Sequence, residues 1–284
     1  MNIGEKFYCS RCMREVDNEG ICRHCGYDPN QPAGRSALEE GTLLQNGRYQ
    51  LGAVIGMGGF GITYAAWDFT LSRPVAVKEY FPQNICQRDI HEGDEVMTRQ
   101  EQEGLFQVGQ LRFSREARVL STLQSIKSVV SVLDWFEDNN TSYIVMEYVR
   151  GITLEVYVRE HEIEPQRLIS MMRELVDSLI MVHAQGVLHR DISPDNIMVQ
   201  EDGTLKLIDF GAATSEERRA RGRDQTVIFN RRFAPLEQYD ENGEQGPWTD
   251  VYALSATLYY LVSGQFPTES AARKGKDSLK PLSE

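Results

Sequence analysis

His189-Arg190-Asp191-Ile192-Ser193-Pro194-Asp195-Asn196 is followed, thirteen residues after Asn196, by Asp209-Phe210-Gly211. A lone His-Arg-Asp triplet carries no information, but this ordered series does. Asp191, Asn196 and Asp209 are side chains that cost stability when buried without partners, which disfavours a purely structural reading of the set. His189 reads differently, as a packing and hydrogen-bonding group inside the loop rather than an acid-base group.

Working outward, Gly56, Gly58 and Gly61 in GMGGFG lie between two strand-like stretches, YQLGAVI and ITYAAWDF. Such a hairpin lets backbone N–H groups approach phosphates with no Cβ in the way. Taken alone, GxGxxG is more often an ordinary glycine-rich turn. Its weight comes from Val75-Ala76-Val77-Lys78, a β-type run whose lysine can reach α- and β-phosphates. A random strand lysine would be a solvated edge residue. Glu116 in FSREARVLSTL is the expected ion-pair partner of Lys78, beside a helical apolar stripe of Phe113, Ala117, Leu120 and Leu123. The competing reading is an exposed helix glutamate.

With these motifs in place, the chain resembles the eukaryotic-like, bacterial-type serine/threonine protein kinases through GGFGITY, VAVKEYFP and APLEQY, over Tyr49 to Gly264. The resemblance implies an α+β, two-lobed protein-kinase fold. A mostly antiparallel five-stranded sheet would stand above a helical lobe, with ATP between them, over residues 47–284, the N-lobe spanning 47–149 and a partial C-lobe 150–284. Met146, Glu147, Tyr148 and Val149 match the hinge, where main-chain groups of Glu147 and Val149 would bond adenine. Asp191 would accept or orient the hydroxyl of a protein serine or threonine. Asn196 and Asp209 would hold Mg²⁺, and Lys78 would anchor the nucleotide. Such chemistry rests on positioning and charge neutralisation.

Two positions depart from the family pattern. Ser193 stands where a lysine is usual, so a cation near the γ-phosphate is lost, and Asn230 stands where a threonine normally faces it. A noncatalytic, nucleotide-binding scaffold is therefore carried as the alternative to an active kinase. Asp250 in WTDVYALSATLYYLVSG matches the aspartate that braces the catalytic loop. Only twenty residues follow Gly264. The helices that usually close the lower lobe, with the arginine that would pair with Glu237, are missing. The expectation is a C-lobe cut short after its central helix, in a piece of a longer protein, with apolar surface left on the Asp250 helix.

Near the start, Cys9, Cys12, Cys22 and Cys25 form CSRC and CRHC, separated by nine residues. Two such knuckles suit tetrahedral Zn²⁺ in a zinc ribbon over residues 1–27. So short a span buries too little to fold alone, and the metal would supply most of its folding energy. Disulfides are the alternative, disfavoured because no signal peptide precedes the cysteines; a cytoplasmic location is expected. His24 inside the second knuckle and Cys86 read as nonligands. Residues 28–46 are polar with Pro and Gly, a linker that predicts a metal module folding independently of the rest and available for partner docking.

The chain has 284 residues, 41% hydrophobic and 25% charged, enough for one two-lobed domain plus a small module. No stretch is long enough for a membrane span. A net charge of −12 argues against general nucleic-acid binding. Residues 88–103 carry six acidic residues against two arginines, while 218–232 carry six arginines against Asp224. Solvated loops are the plain explanation. Thr226, eleven residues before Glu237, sits where activation-segment phosphorylation commonly falls in the family, with Arg190 as the phosphate partner and the acidic insertion as a competing one.

Overall fold

The computed structural model describes residues 1–4, 6–17, 20–30, 36–89, 94–210, 230–240 and 242–282. Glu92, Gly211, Asp224, Thr226 and the arginines at 218, 219, 221 and 223 lie outside the described residues. The chain divides into two compact units, Met1–Thr122 with Ser131–Tyr148, and Leu123–Val130 with Val149–Glu284.

In the first unit, β1 (Asn2–Ile3), β2 (Lys6–Tyr8) and β3 (Glu15–Val16) make a small antiparallel sheet. β4 (Leu43–Leu44), β5 (Tyr49–Met57), β6 (Gly61–Asp68) and β7 (Arg73–Tyr80) follow, then a hairpin of β8 (Cys86–Arg88) and β9 (Val96–Thr98). Helix α1 (Glu103–Ser121) leads to β10 (Val132–Asp138) and β11 (Thr141–Glu147). The main sheet has six antiparallel strands in the order β10-β11-β7-β6-β5-β4, one more than expected, because Leu43 and Leu44 pair with Gln50 and Tyr49 at its edge.

The central strands are built from β-branched, aromatic and small residues that fit a pleated surface covered on both faces, and Val75, Ala76 and Val77 are all buried. One face also buries a charge. Glu79 is 0% exposed and accepts bonds from Tyr64 Oη (2.9 Å), Tyr143 Oη (2.7 Å) and Arg88 Nη2 (2.6 Å). Arg88 in turn donates to the carbonyls of Ser36 and Asp94. A buried ion pair is tolerable only when every remaining polar atom finds such a partner. Burial, together with Glu79, raises both phenols well above their ordinary range, so they stay protonated donors. This network ties Ser36, β8 and β7 together. Leu38 and Leu44, each 1% exposed, anchor the same segment, and the Leu38 N–H donates to Tyr64 Oη. From Ser36 onward, the stretch whose composition suggests a linker is thus packed on the sheet, held by two leucines that its polar average conceals.

Helix α1 buries Phe106, Gly109, Phe113, Ala117 and Leu120, a stripe at spacings of three and four residues. It meets β7 at Tyr80, the last residue of that strand. The Tyr80 ring lies 5.2 Å from Phe106 and 5.6 Å from Phe113, and no Cβ fits at Gly109 against the Tyr80 hydroxyl.

In the second unit, β12 (Gly151–Thr153), β13 (Ile197–Gln200) and β14 (Leu205–Leu207) form a three-stranded antiparallel sheet. Helix α2 (Leu154–Glu160) is capped by the Thr153 hydroxyl, and α3 (Pro165–Ala184) starts with proline where no N–H is needed. α4 (Pro247–Ser263) ends at Gly264, whose φ of 66° is the left-handed conformation that stops a helix. Phe233 and Tyr260 pack against Ala256 in the core, while Trp248, Val251 and Val262 of α4 remain exposed. Among the described residues no helix is long and apolar enough to cross a membrane.

Candidate active site and metal centre

The glycine hairpin, Lys78, Glu116 and Glu147 fall in the first unit, and Val149 in the second. The Gly58 N–H donates to the Gly61 carbonyl at 2.9 Å, closing the turn between β5 and β6. A Cβ at Gly61 would collide with the Glu79 carbonyl and lie 4.0 Å from Lys78 Cε, so the lysine stem runs beside this glycine. Gly56 and Gly58 are not sterically required: a Cβ at Gly56 makes ordinary contact with Thr63, and one at Gly58 meets nothing. Lys78 sits in β7 opposite Thr63 and Ile144, and Glu116 is half-buried on α1. At the end of β11, the Glu147 N–H donates to the Ser131 carbonyl (2.9 Å), and its carboxylate accepts the Ser131 N–H (2.8 Å).

The catalytic-loop residues fall in the second unit. Asp250, 0% exposed, is the fixed point: Oδ1 accepts the Arg190 N–H (2.7 Å), while Oδ2 accepts the His189 N–H (2.9 Å) and bonds His183 Nε2 (2.8 Å). Arg190 has a φ of 67°, a conformation costly for a residue with a Cβ, which persists because Asp250 holds its N–H and Gln238 Nε2 holds its carbonyl at 2.7 Å. Sequence reasoning anticipates the Asp250 brace but misses Gln238 and His183, which look like ordinary helix or turn residues.

This bend presents Asp191. Asn196 Nδ2 donates to both its carboxylate and its carbonyl, each at 2.8 Å, and the Asn230 N–H also bonds the carboxylate. Burial raises the carboxyl above the usual range, opposed by His189 and by those two donors. His189 is fully buried. Its Nδ1 accepts the Asp191 N–H, leaving Nε2 to donate to the Ile208 carbonyl (3.1 Å), and its ring packs 4.4 Å from Phe210. Burial holds the imidazole below its ordinary pKa, consistent with a packing role. The Ile208 N–H donates to the Asn196 carbonyl (3.0 Å), joining the loop to Asp209, which also has a positive φ, 55°. Ser193 is 1% exposed, and its carbonyl accepts the Asn196 N–H. Asn230 thus approaches Asp191 by its main chain, where sequence comparison weighs only its side chain. Glu237 accepts the Thr249 hydroxyl at 2.9 Å.

The four N-terminal cysteines converge. All four sulfur atoms lie within 4.8 Å of one another, with Cys9 to Cys25 at 3.6 Å and Cys12 to Cys22 at 3.7 Å. Two turns of the same design hold them. In the first, the Cys9 N–H donates to Arg14 and Met13 donates back to Cys9; in the second, Cys22 donates to Tyr27 and Gly26 back to Cys22. Met13 and Gly26 both have positive φ. Burial opposes ionisation of Cys22, yet the N–H groups of His24 and Cys25 bring its thiol down to about 7, while burial pushes Cys25 up to about 12. Cys86 lies apart, its thiol pushed up by burial to about 12 and donating to the Pro82 carbonyl.

An acidic groove of about 680 Å³ in the first unit includes Asp89, Glu95, Glu103 and Glu137. The arginine-rich segment 218–232 falls largely outside the described residues.

Residues 49–281 match the protein kinase domain family. The serine/threonine-protein kinase PrkC of Bacillus subtilis is 32% identical over 223 residues, 78% of this chain and 31% of that protein. The serine/threonine-protein kinase B of Synechocystis sp. is 30% identical over 268 residues, 90% of this chain and 41% of that protein. The chain therefore spans less than half the length of these curated relatives. The solved structure of PpkA-294 in its apo form is 35% identical with a TM-score of 0.78, covering 87% of this chain and 86% of that one. The bent loop on Asp250 and the glycine hairpin over Lys78 accordingly have a common source: the chain belongs to the protein kinase domain family, and bacterial serine/threonine kinases are among its relatives.

Proposed function

We propose that the chain transfers the γ-phosphoryl group of ATP to serine or threonine hydroxyls of proteins in cytoplasmic signalling. The observation that carries this reading is the Asp191 carboxylate, held by Asn196 Nδ2 and the Asn230 N–H on a loop bent around Asp250. Asp191 orients the acceptor hydroxyl and takes its proton. Mg²⁺ bound with the nucleotide neutralises the phosphate oxygens. Asn196 is oriented to offer it Oδ1, because Nδ2 is committed to Asp191, and Asp209 offers a carboxylate. Lys78 anchors the α- and β-phosphates with Glu116 as its ion-pair partner, and the backbone of Gly56, Gly58 and Gly61 covers them. Because the Glu147 N–H serves Ser131, its adenine contact falls to the carbonyl, with Val149 the second main-chain partner. Among the described residues Arg190 Nε is buried with no acceptor, which supports a regulatory phosphate at Thr226 pairing with it.

Ser193 favours a second reading, a nucleotide-binding scaffold without transfer, since the position that usually supplies a cation is enclosed and uncharged. Incubation with γ-labelled ATP, Mg²⁺ and acceptor protein separates the two. Labelled phosphoserine or phosphothreonine is expected; nucleotide binding without label would establish the scaffold.

Residues 1–27 are read as a zinc ribbon, with 28–46 joining it to the kinase domain at 47–284. A Zn–S bond of about 2.3 Å in tetrahedral geometry sets sulfur atoms about 3.8 Å apart. The distances of 3.6 and 3.7 Å support Cys9, Cys12, Cys22 and Cys25 as the ligands. Clustered thiols also suit a reducing compartment. Elemental analysis of reduced protein is expected to find about one zinc per chain, and Cys12→Ser to lower its retention. Protein that takes up no zinc on reconstitution would remove the site.

A further inference from the structure

The two cysteine turns share one internal design but not one environment. In the second, Arg23, His24 and Cys25 are exposed. In the first, the carbonyls of both residues between the cysteines are used by the nucleotide-binding unit. Ser10 O accepts the Ala53 N–H of β5 at 2.7 Å, and Arg11 O accepts the Tyr148 hydroxyl at 2.8 Å. Backbone approach is close enough that a Cβ at Gly52 would overlap Ser10 O and come within 2.9 Å of Met13 Cε. Tyr8 adds a ring contact to Trp67 of β6 at 4.8 Å.

Met13 shows what this docking requires. Its position demands a positive φ, which Gly26 supplies without strain in the second turn, whereas Met13 adopts 54° with a Cβ. The strain is offset by packing: Met13 is 0% exposed, its terminal methyl against β5. The turn therefore touches the strand that runs into Gly56 and the residue between Glu147 and Val149.

We propose that the metal-held turn Cys9–Met13 positions the nucleotide site, bracing β5 through Ser10 and Met13 and the hinge through Arg11 and Tyr148, so that zinc occupancy sets nucleotide affinity. This rests on the zinc and ATP readings above, and it replaces the expectation of an independently folding module. Without the metal, the short turn keeps two internal backbone bonds and a strained Met13 but loses the tie between its two cysteines, and its carbonyls lose their fixed positions.

The full chain, zinc-loaded and zinc-depleted, is to be compared by ADP titration and by amide exchange over residues 49–57 and 146–149. Depletion is expected to weaken ADP binding about tenfold and to speed exchange in both segments. Met13→Gly, which suits the positive φ and keeps the cysteines, is expected to retain zinc yet bind ADP several-fold more weakly; Tyr148→Phe behaves likewise, and His24→Ala matches the parent. Unchanged exchange on depletion overturns the brace whether or not nucleotide binds. Unchanged ADP affinity in zinc-retaining Met13→Gly and Tyr148→Phe also overturns it. Loaded protein that binds no ADP overturns the ATP reading instead, and exchange still decides the brace.

Discussion

Asp250→Ala is expected to destabilise the second unit by about 3–5 kcal/mol and to abolish measurable transfer. The carboxylate is wholly buried and accepts the main-chain N–H groups of His189 and Arg190 while bonding His183 Nε2. Its removal leaves the buried His189 amide unpartnered and takes away the hold on the half-buried N–H of Arg190 at φ 67°. A loss of this size is a large fraction of the ~5–15 kcal/mol that stabilises a typical domain. Asp250→Asn keeps the shape but turns one acceptor into a donor facing an N–H, so it should fold better than the alanine variant and still transfer poorly. Denaturant unfolding followed by the transfer assay checks both points. Wild-type stability in Asp250→Ala would show that Gln238 alone holds the bend.

Asp209→Ala and Lys78→Met are each expected to lower phosphoryl transfer by about 1,000-fold or more, by different routes. Asp209, joined to the catalytic loop through the Ile208 to Asn196 bond, is the proposed carboxylate ligand of Mg²⁺. Its loss should leave nucleotide binding without Mg²⁺ nearly unchanged and erase the gain that Mg²⁺ gives. Lys78→Met should instead weaken nucleotide binding with and without Mg²⁺, because the lost charge is the one proposed to anchor the phosphates. Titrating ADP against each variant at both metal conditions separates the routes. Identical patterns in the two variants would contradict the division of roles.

Much of the fold is legible in the sequence because its motifs are contiguous and each carries its own chemistry. The stripe of Phe113, Ala117 and Leu120 is buried as its spacing requires, and Asp250 reaches the loop as its motif implies. What escapes is set by contacts distant in sequence. Gln238 meets Arg190, and Tyr148 meets Arg11 across 137 positions, through side chains whose types announce nothing. The stretch through β4 reads as a linker because Leu38 and Leu44 are diluted among polar residues, yet two well-placed leucines and a carbonyl for Arg88 help to pack it. Glycine was informative for a reason the motif alone does not distinguish: Gly61 is sterically obligatory and Gly58 is not.

Asp191→Asn puts the proposed chemistry to the test, because the amide keeps the size of the carboxylate and gives up its charge, one acceptor and its capacity to take a proton. Initial rates of phosphoryl transfer from ATP to an acceptor serine or threonine are to be measured for both proteins at saturating Mg²⁺ and nucleotide, with ADP affinity determined in parallel. The expected result is a rate about 100- to 10,000-fold lower in Asp191→Asn at unchanged ADP affinity. Equal rates in the two proteins would contradict the assignment of Asp191, and with it the proposed mechanism.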